Sequence, residues 1–89
     1  MPVAHKSLKI QHKNGLHARP SMAIVDTVAH FSSTISLQYK KTTVNAKSVL
    51  EVLQLGAPNG ASIEATADGA DAEAALQALD ALFKSGFGL

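Results

Sequence analysis

The sequence contains no cysteine and no tryptophan, and only 4% of its residues are aromatic. Without cysteine, the chain can form neither disulfide bonds nor thiolate metal sites. The scarcity of aromatic rings argues against a surface on which nucleic-acid bases stack. The net charge is +1, so the charge balance does not predict nucleic acid as a partner either.

Long apolar runs and targeting signals are also missing. No stretch approaches the roughly 20 apolar residues of a membrane-spanning helix, and the first residues lack the pattern of a signal peptide. We therefore expect a cytoplasmic protein without a membrane partner. The chain has 89 residues, of which 46% are hydrophobic, and this fits a single small globular domain covering residues 1–89.

The most informative stretch reads Asn-Gly-Leu-His-Ala-Arg-Pro and runs from Asn14 to Pro20. Its first two residues predict a turn that ends the preceding strand. Proline is tolerated in the first turn of a helix but not in its interior, so a helix should begin close to His17 or Ala18. The pattern thus places a histidine at the start of a helix, with Arg19 two residues further on.

This position predicts that His17 accepts phosphate. Unpaired backbone N–H groups and the positive end of the helix dipole favour an anion there, and the Arg19 guanidinium suits a phosphoryl group. The same dipole disfavours an imidazolium, so a ring nitrogen should keep its lone pair and act as a nucleophile. The alternative is a histidine that merely caps a turn, but the combination of turn, His, Arg and early Pro favours the phosphate acceptor.

Hydrophobic spacing predicts seven elements in the order β-α-β-β-α-β-α. The strands are expected at residues 5–12, 34–39, 42–44 and 62–67, and the helices at residues 18–30, 49–55 and 72 to about 86. Ser48 and Glu51 match a capping box for the short second helix, and Asp71 is predicted to cap the third. This order implies a largely antiparallel sheet with the helices packed on one face.

Two motifs of the chain resemble the HPr family, the histidine-containing phosphocarrier proteins of the bacterial phosphotransferase system. The stretch from Gly15 to Pro20 matches the family's active-site motif, and the stretch from Val44 to Val49 matches its second signature at the expected separation. The resemblance covers essentially the whole chain. It implies an α+β fold: an open-faced β-sandwich in which three helices lie on one face of a four-stranded antiparallel sheet.

The resemblance also implies a phosphoryl carrier that needs no cofactor, rather than an enzyme with its own turnover. His17 would accept phosphate on Nδ1 from phospho-enzyme I and pass it to an IIA-type acceptor, while Arg19 steadies the phosphate. Ser48 would be a regulatory phosphorylation site for HPr kinase/phosphorylase in bacteria that possess it, with Lys47 beside the phosphate. An alternative is a mainly regulatory protein whose phosphorylation state controls a transcriptional regulator or another partner.

The second helix is apolar nearly all round, so one of its sides is expected to form a docking patch. The resemblance assigns this patch to Met22, Val49, Leu50 and Leu53. At positions where better-known sugar-transport members often carry lysines on the first two helices, this chain has Asp26, Ala29 and Glu51. These differences predict a weaker basic rim around the site, and they leave the sugar and nitrogen branches of the family both open.

The remaining histidines, His5, His12 and His30, raise the alternative of a small metal-binding domain. His5 and His12 are expected at opposite ends of one strand, and no carboxylate accompanies them at ligand spacing. We therefore predict surface roles for these histidines and no metal site.

Overall fold

The computed structural model describes residues 2–89 and contains the seven elements in the predicted order. They are β1 (Val3–Lys9), α1 (Ala18–Val28), β2 (Thr34–Tyr39), β3 (Thr42–Asn45), α2 (Val49–Gln54), β4 (Ser62–Asp68) and α3 (Ala72–Lys84). No helix among these residues combines the length and the apolar character needed to cross a bilayer.

The four strands form one antiparallel sheet with the order β1-β4-β2-β3. Apolar side chains recur at every second position and lie opposite one another, as Leu8 does with Ile63 and Leu37 with Ala65 and Val44. These side chains are buried together with the apolar stripes of the helices. The structure therefore confirms the predicted open-faced α+β fold, in which alternation gives each strand one buried face.

The first strand differs from its predicted bounds, because β1 begins at Val3 and ends at Lys9 instead of spanning residues 5–12. Ile10 is fully buried, but its backbone bonds to Ala61 and Gly60 in the loop before β4. Alternation continues into this irregular pairing, which is why the sequence pattern placed the end of the strand too late. His12 consequently lies beyond the strand, in the loop that leads to His17. The end of α1 at Val28 and of α3 at Lys84 also comes slightly earlier than predicted.

Asp71 precedes α3 as predicted, but its side chain makes no capping hydrogen bond. The carboxylate instead accepts hydrogen bonds from the backbone N–H groups of Ser32 and Ser33, at 2.8 and 2.9 Å, and from the Ser33 hydroxyl. Asp71 thus ties the loop between α1 and β2 to the start of α3. Asp71 is therefore the N-cap residue of α3 as predicted, but the expected side-chain capping bond is missing because the loop donors, which are distant in sequence, occupy the carboxylate.

We expect the substitution Asp71→Asn to lower stability at neutral pH and to flatten the acid unfolding profile. The Ser33 hydroxyl and then the Ser32 N–H lower the pKa of the Asp71 carboxyl from its ordinary 3.8 to about 2. A lowered folded-state pKa contributes stability above pH 4 that is lost as the pH falls towards 2. Thermal unfolding of both proteins between pH 2 and 7 measures this loss of stability. If the melting temperatures of the two proteins fall equally with pH, the prediction is contradicted.

Candidate phosphate-accepting site

The loop before α1 is held in place by a close backbone approach at Gly15. This residue has a left-handed φ of +68°, and a Cβ at this position would lie 2.5 Å from the carbonyl oxygen of Ala57 and 2.9 Å from Cα of Pro58. The next residue, Leu16, is buried and its backbone N–H donates to the same Ala57 oxygen at 3.0 Å. Only glycine fits here, so the loop after α2 fixes where the chain enters α1.

His17 is the N-cap residue of α1, with an extended backbone at φ −84° and ψ −173°. Its carbonyl oxygen accepts the first helical hydrogen bond from the Ser21 N–H at 3.0 Å, whereas its imidazole makes no capping bond. His17 is exposed, and its ring makes no hydrogen bond that stabilises the helix. Pro20 is the third helical residue and is buried, which confirms that α1 begins directly after His17.

The first turn of α1 offers several donors to an anion. Within residues 2–89, the backbone N–H groups of Ala18 and Arg19 have no hydrogen-bond partner, and the Arg19 guanidinium has neither a hydrogen bond nor an ion pair. Unpaired N–H groups at the start of an 11-residue helix provide a binding position for a negatively charged group. The geometry therefore supplies an imidazole and phosphate donors at the same helix end.

Two shallow grooves meet at His17. One, of about 320 Å³, is lined by His12, Asn14, His17, Ala18, Arg19, Pro20 and Leu89. The other, of about 420 Å³, is lined by Asn14, Leu16, His17, Ala18, Leu53, Gly56, Ala57 and Pro58. The exposed histidine thus lies where a partner protein can reach it from two sides.

The second motif forms the turn between β3 and α2. Ser48 is half-buried and caps α2 as predicted, since its Oγ accepts the Glu51 N–H at 3.3 Å. The Glu51 carboxylate does not complete the predicted box, because it accepts the Asn45 N–H at 3.0 Å instead of that of Ser48. Lys47 donates its ammonium group to the Phe31 carbonyl at 2.7 Å, so it ties this turn to the end of α1.

The chain matches the family model described as "PTS HPr component phosphorylation site" over residues 4–85. The chain belongs to the HPr family. It is 41% identical over 80 residues to the phosphocarrier protein HPr of Xylella fastidiosa, which corresponds to 90% of each chain. Membership of this family supports a phosphocarrier role in the phosphotransferase system.

Solved HPr structures have the same fold as this chain. The crystal structure of HPr-C-His from Thermoanaerobacter tengcongensis superimposes with a TM-score of 0.92 at 38% identity and covers 97% of both chains. The HPr of Bacillus anthracis superimposes with a TM-score of 0.87 at 36% identity, covering 93% of this chain and 99% of that one. The similarity in sequence and in structure therefore extends over nearly the whole HPr domain.

The predicted docking patch is partly exposed in this HPr-family chain. Met22, Leu50 and Leu53 have exposed fractions of 55%, 71% and 36%, and Val49 is half-buried. The other apolar side of α2 is packed in the core through Val52 and Leu55. Leu53 also lines one of the grooves at His17, so this patch and the histidine lie on the same surface.

The sequence alone did not place His12 beside His17. The His12 ring lines one of the two grooves and packs edge-on against Phe87, with 6.3 Å between ring centroids. His12 and His30 are not brought together with His5, which lies near Thr66 on β4. Within residues 2–89, no three histidine or acidic side chains converge to hold a metal ion.

Proposed function

We propose that this HPr-family chain accepts a phosphoryl group from phospho-enzyme I on Nδ1 of His17 and passes it to IIA-type proteins. The observation that carries the proposal is the position of an exposed imidazole at the unpaired N-terminus of α1, in the same groove as Arg19. The reaction belongs in the cytoplasm. Incubation with phosphoenolpyruvate and enzyme I, followed by measurement of the intact mass, tests it.

The chemistry requires a neutral His17 ring with its proton on Nε2. The Nδ1 lone pair attacks phosphorus in line, and the bond between phosphorus and the donor's histidine breaks as the new N–P bond forms. The donor's nitrogen leaves with the electron pair. The backbone N–H groups of Ala18 and Arg19 and the guanidinium stabilise the charge on the transferring phosphoryl oxygens. In the delivery step the acceptor's histidine attacks phosphorus in line, the N–P bond of His17 breaks, and Nδ1 of His17 leaves with the electron pair.

Partner recognition is assigned to the patch formed by Met22, Val49, Leu50 and Leu53. An exposed apolar surface beside a reactive group is typical of a protein interface. The patch supports transient docking of enzyme I and IIA-type proteins, because Leu53 borders the groove that contains His17. Lys47 joins this surface next to Ser48, where its charge balances an added phosphate.

Ser48 is proposed as a second phosphorylation site, modified by HPr kinase/phosphorylase and linked to a transcriptional regulator. Its hydroxyl already accepts a backbone N–H at the start of α2, and an anion at that position is compatible with the helix. A phosphate there would lie at the edge of the docking patch, since Val49 and Leu50 follow directly in sequence.

We expect Arg19→Ala to slow phosphoryl transfer on the order of a hundredfold, the usual effect of removing one donor to a transition-state oxygen. Its guanidinium has no partner among residues 2–89, so the free energy of unfolding should change by less than about 0.5 kcal/mol. Phosphoryl-transfer assays quenched at fixed times measure the rate, and thermal unfolding measures the change in stability. Arg19→Lys keeps the charge, so its transfer rate should lie between those of the unmodified protein and the Arg19→Ala protein. A large loss of stability with normal transfer would make Arg19 structural.

We expect Ser48→Asp to lower the rate of His17 phosphorylation while thermal stability stays equal or rises. Aspartate caps a helix as well as serine does and interacts favourably with the dipole, so the charge should affect recognition and not folding. Ser48→Asn, a neutral cap of the same size, is the matched control and should transfer normally. If the aspartate variant unfolds or transfers at the unchanged rate, Ser48 does not act in this way.

A further inference from the structure

The segment that follows α3 folds back onto the loop after β1. The Phe87 N–H donates to the Leu82 carbonyl oxygen at 2.9 Å, and the Phe87 ring packs on Phe83 with 4.8 Å between ring centroids. A Cβ on Gly86 would lie 3.1 Å from the Gln11 carbonyl oxygen, so the two backbones approach each other closely. Phe87 is buried where these two parts of the chain meet.

Phe87 adopts a backbone conformation that is unusual for a bulky residue. Its φ is +64°, in the left-handed region where a Cβ crowds a neighbouring carbonyl oxygen. Such a conformation persists only where the surrounding structure determines it, and it is found preferentially at functional sites. Glycine adopts it without this strain. The contacts of the aromatic ring must therefore offset the strain at this position.

One of these contacts reaches the turn that leads to His17. The Phe87 ring packs edge-on against the His12 ring, with 6.3 Å between centroids and 70° between ring planes. Nδ1 of His12 accepts the Asn14 N–H at 3.4 Å, and the His12 carbonyl oxygen accepts the Gly15 N–H at 2.8 Å. The ring and the backbone of His12 thus hold both residues of the Asn-Gly turn.

We infer that Phe87 is a positioning residue for phosphoryl transfer: by packing against the His12 ring, it fixes the turn that places His17 at the start of α1. This inference rests on the proposed function. Because Nδ1 of His12 is an acceptor, a neutral His12 ring carries its proton on Nε2, and Phe87 keeps the ring in this tautomer and orientation. Without Phe87 the ring can rotate and release the Asn14 N–H. The turn then moves the His17 imidazole away from in-line geometry, where small displacements have large effects on rate.

The test compares two buried rings of one aromatic pair. Phe87→Leu removes the ring that packs against His12, and Phe83→Leu, the matched control, removes the neighbouring ring from the same core. His12→Ala removes the other partner of the contact, and the double variant His12→Ala/Phe87→Leu tests whether the two residues act together. Phosphorylation of His17 by enzyme I and phosphoenolpyruvate is measured at varied concentrations of this chain, well below the melting temperatures, to obtain kcat and KM.

We expect Phe87→Leu to lower kcat about tenfold and to leave KM unchanged, because the docking patch stays intact. Phe83→Leu should keep a kcat near that of the unmodified protein at a similar loss of melting temperature. His12→Ala should still reach full labelling on His17, but with the same reduction in kcat as Phe87→Leu. The double variant should be no slower than either single variant, since both substitutions break one contact.

The His12 ring nitrogens supply a readout that does not depend on transfer. In nitrogen NMR of the neutral ring, Nδ1 should be unprotonated in the unmodified and Phe83→Leu proteins and should lose this preference in Phe87→Leu. An unchanged tautomer in Phe87→Leu, equal kcat in the two phenylalanine variants, a loss confined to KM, or additive losses in the double variant would each overturn the inference alone. If Phe87→Leu does not fold, an unchanged kcat in His12→Ala overturns it. If the unmodified chain is not phosphorylated, the proposed function fails, and the inference fails with it.

Discussion

Replacing His17 by alanine is expected to abolish phosphorylation by enzyme I and leave the fold intact. The imidazole is exposed and makes no capping hydrogen bond, whereas the first helical bond uses the His17 carbonyl oxygen, which alanine retains. The free energy of unfolding should therefore change by about 1 kcal/mol or less. Intact-mass measurement after incubation with phosphoenolpyruvate and enzyme I reads out the phosphorylation.

His12→Ala is the matched control, because His12 lines the same groove. It removes a second histidine from the site, yet phosphorylation should continue, since His12 is half-buried and packs against Phe87. Labelling of the His17→Ala protein, or loss of labelling in the His12→Ala protein alone, would move the phosphate acceptor away from His17.

Gly15→Ala is expected to have the largest effect on stability. The left-handed φ of +68° costs alanine about 1 kcal/mol, and the Cβ would lie 2.5 Å from the Ala57 carbonyl oxygen. Overpacking of this kind adds about 1–3 kcal/mol. For a domain of this size the melting temperature should fall on the order of 10 °C. Phosphoryl transfer should also slow, because a displaced loop moves His17 relative to its groove.

Gly56→Ala separates the two contributions to this loss. Gly56 has a similar φ of +60°, but nothing lies within 4 Å of a Cβ built there. We expect this control to lose only the conformational part, about 1 kcal/mol. If the two substitutions lower the free energy of unfolding equally, the close approach between Gly15 and Ala57 does not position the site.

Local signals in the sequence predicted most of the fold. The turn at Lys40 and Lys41 connects β2 and β3 as expected, and its first residue has the left-handed φ of 54° that a tight hairpin needs. Pro20 and Ser48 correctly marked the starts of α1 and α2. Each of these features depends on neighbouring residues, so it can be predicted from the sequence without knowledge of the tertiary structure.

Contacts between residues distant in sequence were not predictable in this way. Asp71 is of a residue type that is typical of helix caps, but its carboxylate accepts the N–H of Ser33, which lies 38 residues earlier in the chain. Glu51 is a nearer case: its carboxylate accepts the N–H of Asn45 at the end of β3 instead of closing the capping box, because the turn between β3 and α2 presents that donor.

The position of exposed lysines in the fold was not predictable from local patterns either. The predicted weakness of the basic rim considered helix positions such as Asp26 and Glu51, whereas Lys9 and Lys40 reach the same end of the sheet only through strand pairing. Because Lys9 and Lys40 lie far apart in the chain, their common location follows from the strand order β1-β4-β2. Sheet topology therefore decides where the charge lies.

The most direct test of the central claim is to identify the phosphorylated atom after incubation with phosphoenolpyruvate and enzyme I. Intact mass counts the added groups, acid and base treatment distinguishes a phosphohistidine from a phosphate ester, and NMR of the histidine rings locates the N–P bond. We predict a single phosphoryl group that is labile in acid, stable in base and bonded to Nδ1 of His17. An acid-stable phosphate, or an acid-labile one on another histidine, would contradict the account.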